Sequence, residues 1–183
     1  KKFEKNFCKF NNSKYGLGVG SGTDALFIAL KALDIGIGDE VITVSNTAIP
    51  TVAAIKNTGA EVRFVDIGKD FLIDVKKIKH VINAKTKVIL PVHLFGQTCD
   101  MNEILSISKK YNLKIVEDCA QACGAIYKGQ KAGSIGDIGC YSFYPTKILG
   151  SYGDGGFLTT DNKKLYEKMH RFRFYGIDTL KKN

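Results

Sequence analysis

The most reactive side chain in an unusual sequence context belongs to Lys147. It follows an aromatic-rich stretch at 142–144 and precedes a glycine-rich run at 150–156. Burial of a lysine lowers its pKa towards the neutral amine that forms a Schiff base with a carbonyl compound. The hydroxyl of Ser142 is placed to reach a phosphate of the same ligand. Taken alone, Lys147 is more simply interpreted as a surface lysine.

A second candidate, Asp118, comes just after a predicted buried strand at 113–116. Ligands of open α/β sheets bind at the carboxyl edge, where a carboxylate can hold a proton on a heterocyclic nitrogen. In enzymes that use pyridoxal phosphate (PLP), such a carboxylate keeps the pyridine ring cationic as an electron sink. Asp118 alone also fits a helix cap or a metal ligand. No second carboxylate or histidine cluster lies at the spacing of a metal site.

A third candidate is the turn from strand to helix at 21–26. Backbone N–H groups and the helix dipole form a natural phosphate site there. Gly22 allows close backbone approach, and the Thr23 hydroxyl can donate. A dinucleotide fingerprint starting at Gly18 fails, because it requires glycine where Thr23 stands. A plain N-cap explains the pattern equally well.

Strand and helix signals alternate along the chain and predict the elements that position these candidates. Near-continuous apolar strands are typical of a largely parallel sheet covered by helices on both faces. We therefore predict one α/β domain over residues 1–183. The expected strands are 15–19, 41–44, 61–66, 88–94, 113–116, 139–144 and 156–160. The expected helices are 23–33, 48–56, 75–82, 100–111 with a capping box from Asp100 to Glu103, and 163–173 capped by Asp161.

The composition argues against several classes of protein. The formal net charge is +9, but the lysines are scattered without a basic, aromatic-interleaved stripe. We expect a solvated lysine-rich surface and no nucleic-acid partner. No apolar run is long enough to span a bilayer, so no membrane partner is expected. Five cysteines, an odd number without a C-x-x-C pair, indicate free thiols in a reducing, cytoplasmic compartment.

With these three candidates in chain order, the sequence resembles the PLP-dependent nucleotide-sugar aminotransferases of the DegT/DnrJ/StrS family. These enzymes have the fold type I of aspartate aminotransferase. The matching stretches fall in family order across nearly the whole chain. They are GSGTDAL at 20–26, GDEVI at 38–42, PVHLFGQ at 91–97, ED and AQ at 117–118 and 120–121, SF and TK at 142–143 and 146–147, and GDGG at 153–156.

The resemblance implies a fold, a cofactor and a role for each candidate. The fold is the three-layer α/β/α large domain of fold-type-I PLP enzymes, with a mostly parallel central sheet. By the resemblance, Lys147 forms the internal aldimine with PLP and Asp118 pairs with the pyridine nitrogen. Gln121 is implied beside the phenolic oxygen of the ring. The residues implied at the phosphate are Gly22, Thr23, Asp24 (through its backbone) and Ser142.

A ping-pong transamination is the reaction that the resemblance implies. An amino acid, in this family usually L-glutamate, gives its amino group to the cofactor, and a keto-sugar carried on a nucleotide then takes it. Lys147 moves the proton in each half-reaction as general base and acid. The resemblance also implies a homodimer, because a neighbouring subunit completes the family's site.

Two departures from the family pattern bear on this interpretation. Many members place an aromatic residue against the PLP ring where this chain has Ala48. Family chains are also considerably longer, and this chain begins at Lys1 rather than Met. We therefore expect residues 1–183 to be an incomplete PLP-binding large domain, truncated at both ends and lacking the C-terminal small domain.

Three alternative functions stay open at this point. A sugar dehydratase of the same fold has histidine in place of the lysine, so Lys147 argues against it. A transaminase of an inositol-like ketone fits the same residues. A non-catalytic PLP-binding or regulatory member is consistent with Ala48 and the short chain, although Lys147, Asp118 and Gln121 are all retained.

Overall fold

The computed structural model describes residues 1–177 and Leu180, so the last part of the domain predicted at 1–183 lies outside the described residues. None of the helices in this part of the chain combines the length and the apolar character needed to cross a bilayer. The helices are α1 (Lys2–Asn11), α2 (Gly22–Ala32), α3 (Ile49–Asn57), α4 (Val75–Val81), α5 (Met101–Tyr111) and α6 (Lys163–Arg173). The strands are β1 (Tyr15–Val19), β2 (Glu40–Val44), β3 (Glu61–Val65), β4 (Thr86–Ile89), β5 (Lys114–Asp118), β6 (Ile126–Tyr127), β7 (Gln130–Lys131), β8 (Ile138–Ser142) and β9 (Gly156–Thr160).

Seven of these strands form one sheet in the order β1-β9-β8-β5-β4-β2-β3. In this sheet β3, β2, β4, β5 and β8 each run parallel to their neighbours in that series, whereas β9 is antiparallel to both β8 and β1. Every residue of β2 is buried, since a strand covered on both faces needs no polar side. The predicted α/β fold with a mostly parallel sheet is confirmed.

The two faces of the sheet carry separate apolar clusters. Cys140 and Leu158 belong to the large cluster that includes α2, whereas Tyr141 and Phe157 pack with Phe7 of α1. Because successive side chains of a strand point to opposite faces, α1 and α2 cover opposite sides of β8 and β9. This arrangement gives the three layers that the resemblance implies.

Helix α1 is an element that the sequence analysis does not predict. Its apolar stripe consists of Phe3, Phe7 and Phe10, at the i, i+4, i+7 spacing of an amphipathic helix, and this spacing is the signal that identifies it. Phe7 is 4% exposed, and its ring centroid lies 5.0 Å from that of Tyr141 and 4.7 Å from that of Phe157. These ring contacts fix α1 on the sheet.

The predicted strand at 88–94 is wrong at its carboxyl end. β4 ends at Ile89, and Leu94–Gly96 form a single 3₁₀ turn. Phe95 and Gly96 have φ angles of 57° and 76°, which an extended strand cannot contain. The intervening residues stay beside β5, because the N–H of His93 donates to the Asp118 carbonyl at 2.9 Å.

The predicted cap of α6 is also wrong by one residue. Asn162 is the N-cap, and its side chain accepts the N–H of Lys164 at 2.9 Å. Asp161 instead accepts the N–H of Lys14 at 2.8 Å, so its carboxylate joins α6 to the start of β1. A further difference concerns β5, which extends through Asp118 rather than ending before the acidic pair.

Replacement of Phe7 by alanine tests the docking of α1. We expect Phe7→Ala to lower the free energy of unfolding by about 3 kcal/mol, because a large buried ring is lost and a cavity remains. Phe7→Leu keeps most of the apolar volume and should cost about 1 kcal/mol. Urea denaturation followed by circular dichroism measures both values. Equal stability of the alanine and leucine variants would contradict the proposed packing.

Candidate active site

A cavity of about 320 Å³ opens at the carboxyl edge of the sheet. Asp118 ends β5, Ser142 ends β8 and Gly22 begins α2, so three distant chain segments converge at this point. Open α/β sheets bind their ligands at this edge. The residues that line the cavity are Ser21, Gly22, Thr23, Leu26, Ala48, Pro50, Thr51, Asp118, Ala120, Cys140, Tyr141, Ser142, Tyr144, Lys147 and Asp154.

The N-terminus of α2 forms one end of the cavity. Ser21 caps the helix, because its hydroxyl accepts the N–H of Asp24 at 3.0 Å and donates to the Asp24 carboxylate at 2.9 Å. The first N–H groups of a helix have no acceptor within the helix. An anion here would meet those of Gly22 and Thr23. The Asp24 N–H, predicted to hold a phosphate, is already donated to Ser21, and Asp24 does not line the cavity.

Two glycines allow backbone segments to meet at this end of the cavity. A Cβ atom on Gly22 would lie 2.7 Å from the Cβ of Ser142, and one on Gly156 would lie 2.0 Å from the Ser21 carbonyl oxygen. Carbon atoms cannot pack at such distances, so both positions require glycine. This close approach places the Ser142 side chain against the first turn of α2.

Asp118 is 3% exposed and lines the cavity from the end of β5. Its Oδ1 accepts the N–H of Ala120 at 3.1 Å, and its Oδ2 accepts the hydroxyl of Thr51 at 2.8 Å. Burial raises the pKa of the Asp118 carboxyl above its ordinary value, while these two bonds and the charge of Lys147 favour the ionised form. The sequence analysis assigns no role to Thr51, which lies in the first turn of α3.

Lys147 lines the same cavity and is half-buried. It follows β8 in a segment that turns back towards β9, and its N–H donates to the Tyr144 carbonyl at 2.8 Å. Ser151 holds this segment, because its hydroxyl oxygen lies 2.8 Å from the carbonyl oxygen of Phe143 and 2.6 Å from that of Gly153, and its single proton is shared between them. The side chains of Lys147 and Asp118, 29 residues apart in sequence, thus face one cavity.

Gln121 does not line the cavity but a neighbouring groove, which also includes Phe95 and Lys147. Its side-chain oxygen accepts the N–H of Phe95 at 3.2 Å, and its carbonyl accepts the N–H of Gly96 at 3.0 Å. Gln121 therefore supports the turn in which Phe95 adopts its positive φ. Its predicted place beside a phenolic oxygen stays a prediction.

Glu117 points away from the cavity and is fully buried. Its Oε2 accepts the Nε2–H of His93 at 3.0 Å and the N–H of Gly133 at 2.8 Å. Its Oε1 accepts the N–H groups of Ile135 at 2.8 Å and Gly136 at 2.6 Å. These four donors fill the lone-pair positions of a carboxylate. The feature of the sequence that indicates such a buried carboxylate is an acidic residue inside an apolar strand.

A metal ion is an alternative explanation for His93, Glu117 and Cys119, whose potential ligand atoms lie within 4.8 Å of one another. His93 Nδ1 accepts the N–H of Cys99 at 3.1 Å, so the ring proton lies on Nε2 and is donated to Glu117. Glu117 then has no lone pair left for a cation. This cluster acts as a structural anchor for the end of β5.

A sequence profile of the DegT/DnrJ/EryC1/StrS aminotransferase family matches residues 1–183. The chain belongs to this family. The stretches that carry the resemblance include the ends of β5 and β8 and the start of α2, which are the segments that form the cavity.

Individual relatives in the family agree with this assignment. The chain is 49% identical over 175 residues to the dTDP-3-amino-3,6-dideoxy-alpha-D-galactopyranose transaminase of Aneurinibacillus thermoaerophilus, covering 95% of the chain and 48% of that protein. It is 45% identical over 177 residues to a pleiotropic regulatory protein of Geobacillus stearothermophilus, covering 96% and 48%. The chain spans about half the length of the curated relatives it matches.

A solved structure in the same family is similar over the whole chain. It is that of NtdA from Bacillus subtilis with bound cofactor PMP, with a TM-score of 0.93 and 39% sequence identity. The match covers 100% of this chain and 41% of NtdA. The fold of the present chain therefore matches that of 41% of the longer NtdA chain.

The position at which many family members have an aromatic residue also lies on the cavity wall. Ala48 lines the cavity just before α3. The aromatic ring of Tyr144, which is half-exposed, lines the same cavity from the segment after β8. Tyr144 is thus an aromatic side chain at the cavity to which the sequence analysis assigns no stacking role.

Replacement of Glu117 by glutamine tests the anchor. We expect Glu117→Gln to lower the free energy of unfolding by about 3 kcal/mol at pH 7, because its amide cannot accept all four donors. Glu103→Gln, on the exposed surface of α5, is the matched control and should change little. Urea denaturation at several pH values measures the effect.

The difference in stability between the wild-type protein and Glu117→Gln should also depend on pH. Burial alone raises the pKa of a carboxyl, but the hydrogen bonds from His93 and the backbone hold that of Glu117 below 4.5. Its contribution to stability is thus present above pH 4.5 and disappears as the pH falls below that value. The difference between the wild-type protein and Glu117→Gln should shrink with acid. A constant difference down to pH 3 would contradict this account.

Proposed function

We propose that this chain is the cofactor-binding large domain of a PLP-dependent aminotransferase. The enzyme transfers an amino group from an amino acid, for which we propose L-glutamate, to a keto-sugar carried on a nucleotide. The observation that carries the proposal is the meeting of Lys147 and Asp118 in one cavity with the N-terminus of α2. Nucleotide-sugar transaminases among the relatives support the substrate class.

The residues at the cavity fit PLP in each of its parts. A buried carboxylate, Asp118, suits a protonated pyridine nitrogen, and the lysine amine suits an aldehyde. The open end of α2, with the hydroxyls of Thr23 and Ser142, suits a phosphate. The close approach at Gly22 brings the Ser142 side chain against the first turn of α2, where its hydroxyl and the helix N–H groups can share one phosphate. NtdA, which has the same fold, was solved with its cofactor PMP.

When bound, PLP supplies an electron sink that stabilises negative charge at the carbon next to the amino group. Lys147 would hold the cofactor through its amine, and as the base beside the reacting carbon it would take and return the proton there. Asp118 holds a proton on the ring nitrogen. Gln121 is proposed to lie beside the phenolic oxygen. We assign the phosphate to Gly22, Thr23 and Ser142 and leave out Asp24, because its N–H is donated to Ser21.

A ping-pong order follows from the use of a single cavity. The amino-acid donor and the sugar acceptor both react at the carbon beside Lys147, so they occupy the site in turn. One lysine can serve both half-reactions, because the second is the chemical reverse of the first.

A regulatory function is the main alternative, and the name of the Geobacillus stearothermophilus relative favours it. A regulatory protein that only binds PLP does not need a lysine and a buried carboxylate that face the same cavity. That arrangement favours catalysis. A transaminase of an inositol-like ketone uses the same residues, and comparison of ketone acceptors separates it from the sugar enzyme.

We also propose a cytoplasmic homodimer. An apolar groove beside the Lys147 segment is lined by Phe3, Phe10, Ile148 and Leu149, all of which are substantially exposed. Apolar surface of this kind beside a site supports burial against a second subunit. The five cysteines are free thiols, which supports a reducing compartment.

Loss of the Lys147 amine tests the cofactor assignment. The full-length protein with added PLP should show a visible imine band that borohydride reduces to a stable adduct. Lys147→Ala should retain the fold but form no adduct, whereas Lys128→Ala, on the exposed turn between β6 and β7, should behave as the wild type. Peptide mass spectrometry locates the adduct. A borohydride-stable adduct in Lys147→Ala would refute the role of Lys147.

Sedimentation tests the homodimer. We expect the full-length protein to sediment as a dimer, and the double variant Ile148→Asp, Leu149→Asp to dissociate at least about 100-fold more readily, because two charges are buried in an apolar interface. Leu105→Asp, on α5 outside the groove, is the matched control and should remain dimeric. A wild-type monomer with full activity would contradict the proposal.

A further inference from the structure

The carboxylate of Asp118 is the end of a short chain of hydroxyl groups. Thr51, which is 1% exposed, has its hydroxyl 2.8 Å from Asp118 Oδ2. The same hydroxyl lies 2.7 Å from that of Thr47, which is half-buried in the loop between β2 and α3. Thr51 lies in the first turn of α3 and Asp118 at the end of β5, so the contact joins segments that are 67 residues apart in sequence.

The direction of these hydrogen bonds follows from proton counting. An ionised carboxylate only accepts, and a threonine hydroxyl has one proton. Thr51 must therefore donate to Asp118, and its oxygen is free to accept the proton of Thr47. The other oxygen of Asp118 accepts the N–H of Ala120 at 3.1 Å. Each carboxylate oxygen thus has one fixed donor and keeps an acceptor position for a ligand in the cavity.

We propose that Thr51 is a positioning residue, which with Thr47 behind it holds the Asp118 carboxylate in the ionised state and orientation that place a proton on the cofactor's ring nitrogen. This inference rests on the proposed function. Thr51 acts through Asp118, and it joins the first turn of α3 to the end of β5.

The surroundings of Asp118 explain why it needs such a donor. Burial raises its pKa, and the bonds from Ala120 and Thr51 oppose that rise. The charged or titratable groups that act on it are His93, Lys147, Cys119 and Cys140. Burial raises the pKa of both thiols, so they stay neutral. His93 donates its ring proton to Glu117. His93 also lowers the pKa of Asp118, but its ring is bonded to Glu117, and Lys147 would bond to the cofactor. The hydrogen bonds from Ala120 and Thr51 are thus the direct contacts that favour the ionised carboxylate.

The expected effect of losing the Thr51 hydroxyl is a ring nitrogen that holds its proton less firmly. A hydrogen bond to a charged group is worth about one pKa unit or more. Without it, the pKa of Asp118 rises, so the proton that the pair shares moves from the ring nitrogen towards the carboxylate, which is also free to rotate. In Thr51→Val, which keeps the shape of threonine, the ratio of protonated ring nitrogen to protonated Asp118 should fall by about 10-fold. Transamination should slow by about 10-fold.

The measurement uses the full-length protein loaded with PLP that is labelled with ¹⁵N in the pyridine ring. The ¹⁵N chemical shift, followed against pH, reports protonation of that nitrogen directly. Thr51→Ser keeps the hydroxyl and should titrate as the wild type, while Asp118→Asn is the positive control and should lack the proton at neutral pH. A general packing defect would disturb the serine and valine variants alike. Identical titration of Thr51→Val and the wild type would overturn the inference.

A second pair of variants keeps the test decisive if Thr51→Val does not fold. Thr51→Ser and Thr51→Ala both lack the methyl group and differ only in the hydroxyl, so the alanine variant alone should show the shifted titration. Thermal melting of the apo forms checks each fold. A wild-type protein that forms no borohydride adduct would overturn the proposed function together with this inference. A normal adduct with no difference between serine and alanine would overturn the inference alone.

Discussion

The negative charge of Glu117, fully removed from water, is the constraint on which the carboxyl edge of the sheet depends. Burying a carboxylate is costly unless hydrogen bonds replace its hydration. The turn at 133–136 and His93 provide these bonds, so the charge holds together β5, the segment after β4 and the turn before β8. A change in any of these segments would leave an unpaired buried charge.

Neighbouring carboxylates on β5 divide their tasks because a strand alternates its side chains between two faces. Glu117 faces the interior beside Tyr141 and Cys119, where backbone groups saturate it. Asp118 faces the cavity and keeps acceptor positions for a ligand. The hydrogen bonds of Glu117 fix the position of β5, and the fixed strand holds the charge of Asp118 in one place at the cavity.

Local signals in the sequence were sufficient for most of the fold. Apolar β-branched runs and turn residues predict strands such as β2 and β9, and their alternation with helices predicts the parallel sheet. Gly22 and Asp118 could be found because they begin or end such elements, and Lys147 because it stands between an aromatic-rich stretch and a glycine-rich run. The contact of Thr51 with Asp118 and the saturation of Glu117 depend on segments far apart in sequence, so no local pattern reveals them. Helix α1 has an amphipathic pattern from which it could have been predicted. The turn at Phe95 depends on a positive φ angle, which a run of apolar residues does not predict.

Helix α1 also sets an order of events during synthesis. Its aromatic stripe packs against β8 and β9, which follow roughly 130 residues later in the chain and leave the ribosome on the order of ten seconds after it. Until then the three phenylalanine rings contact one another but lack their partners on the sheet, and Phe143, which leads into the Lys147 segment, has no support from α1. The segment that carries Lys147 therefore reaches its supported position only after β8 and β9 have packed against α1. During that interval the apolar stripe of α1 is an exposed target for chaperones on the nascent chain.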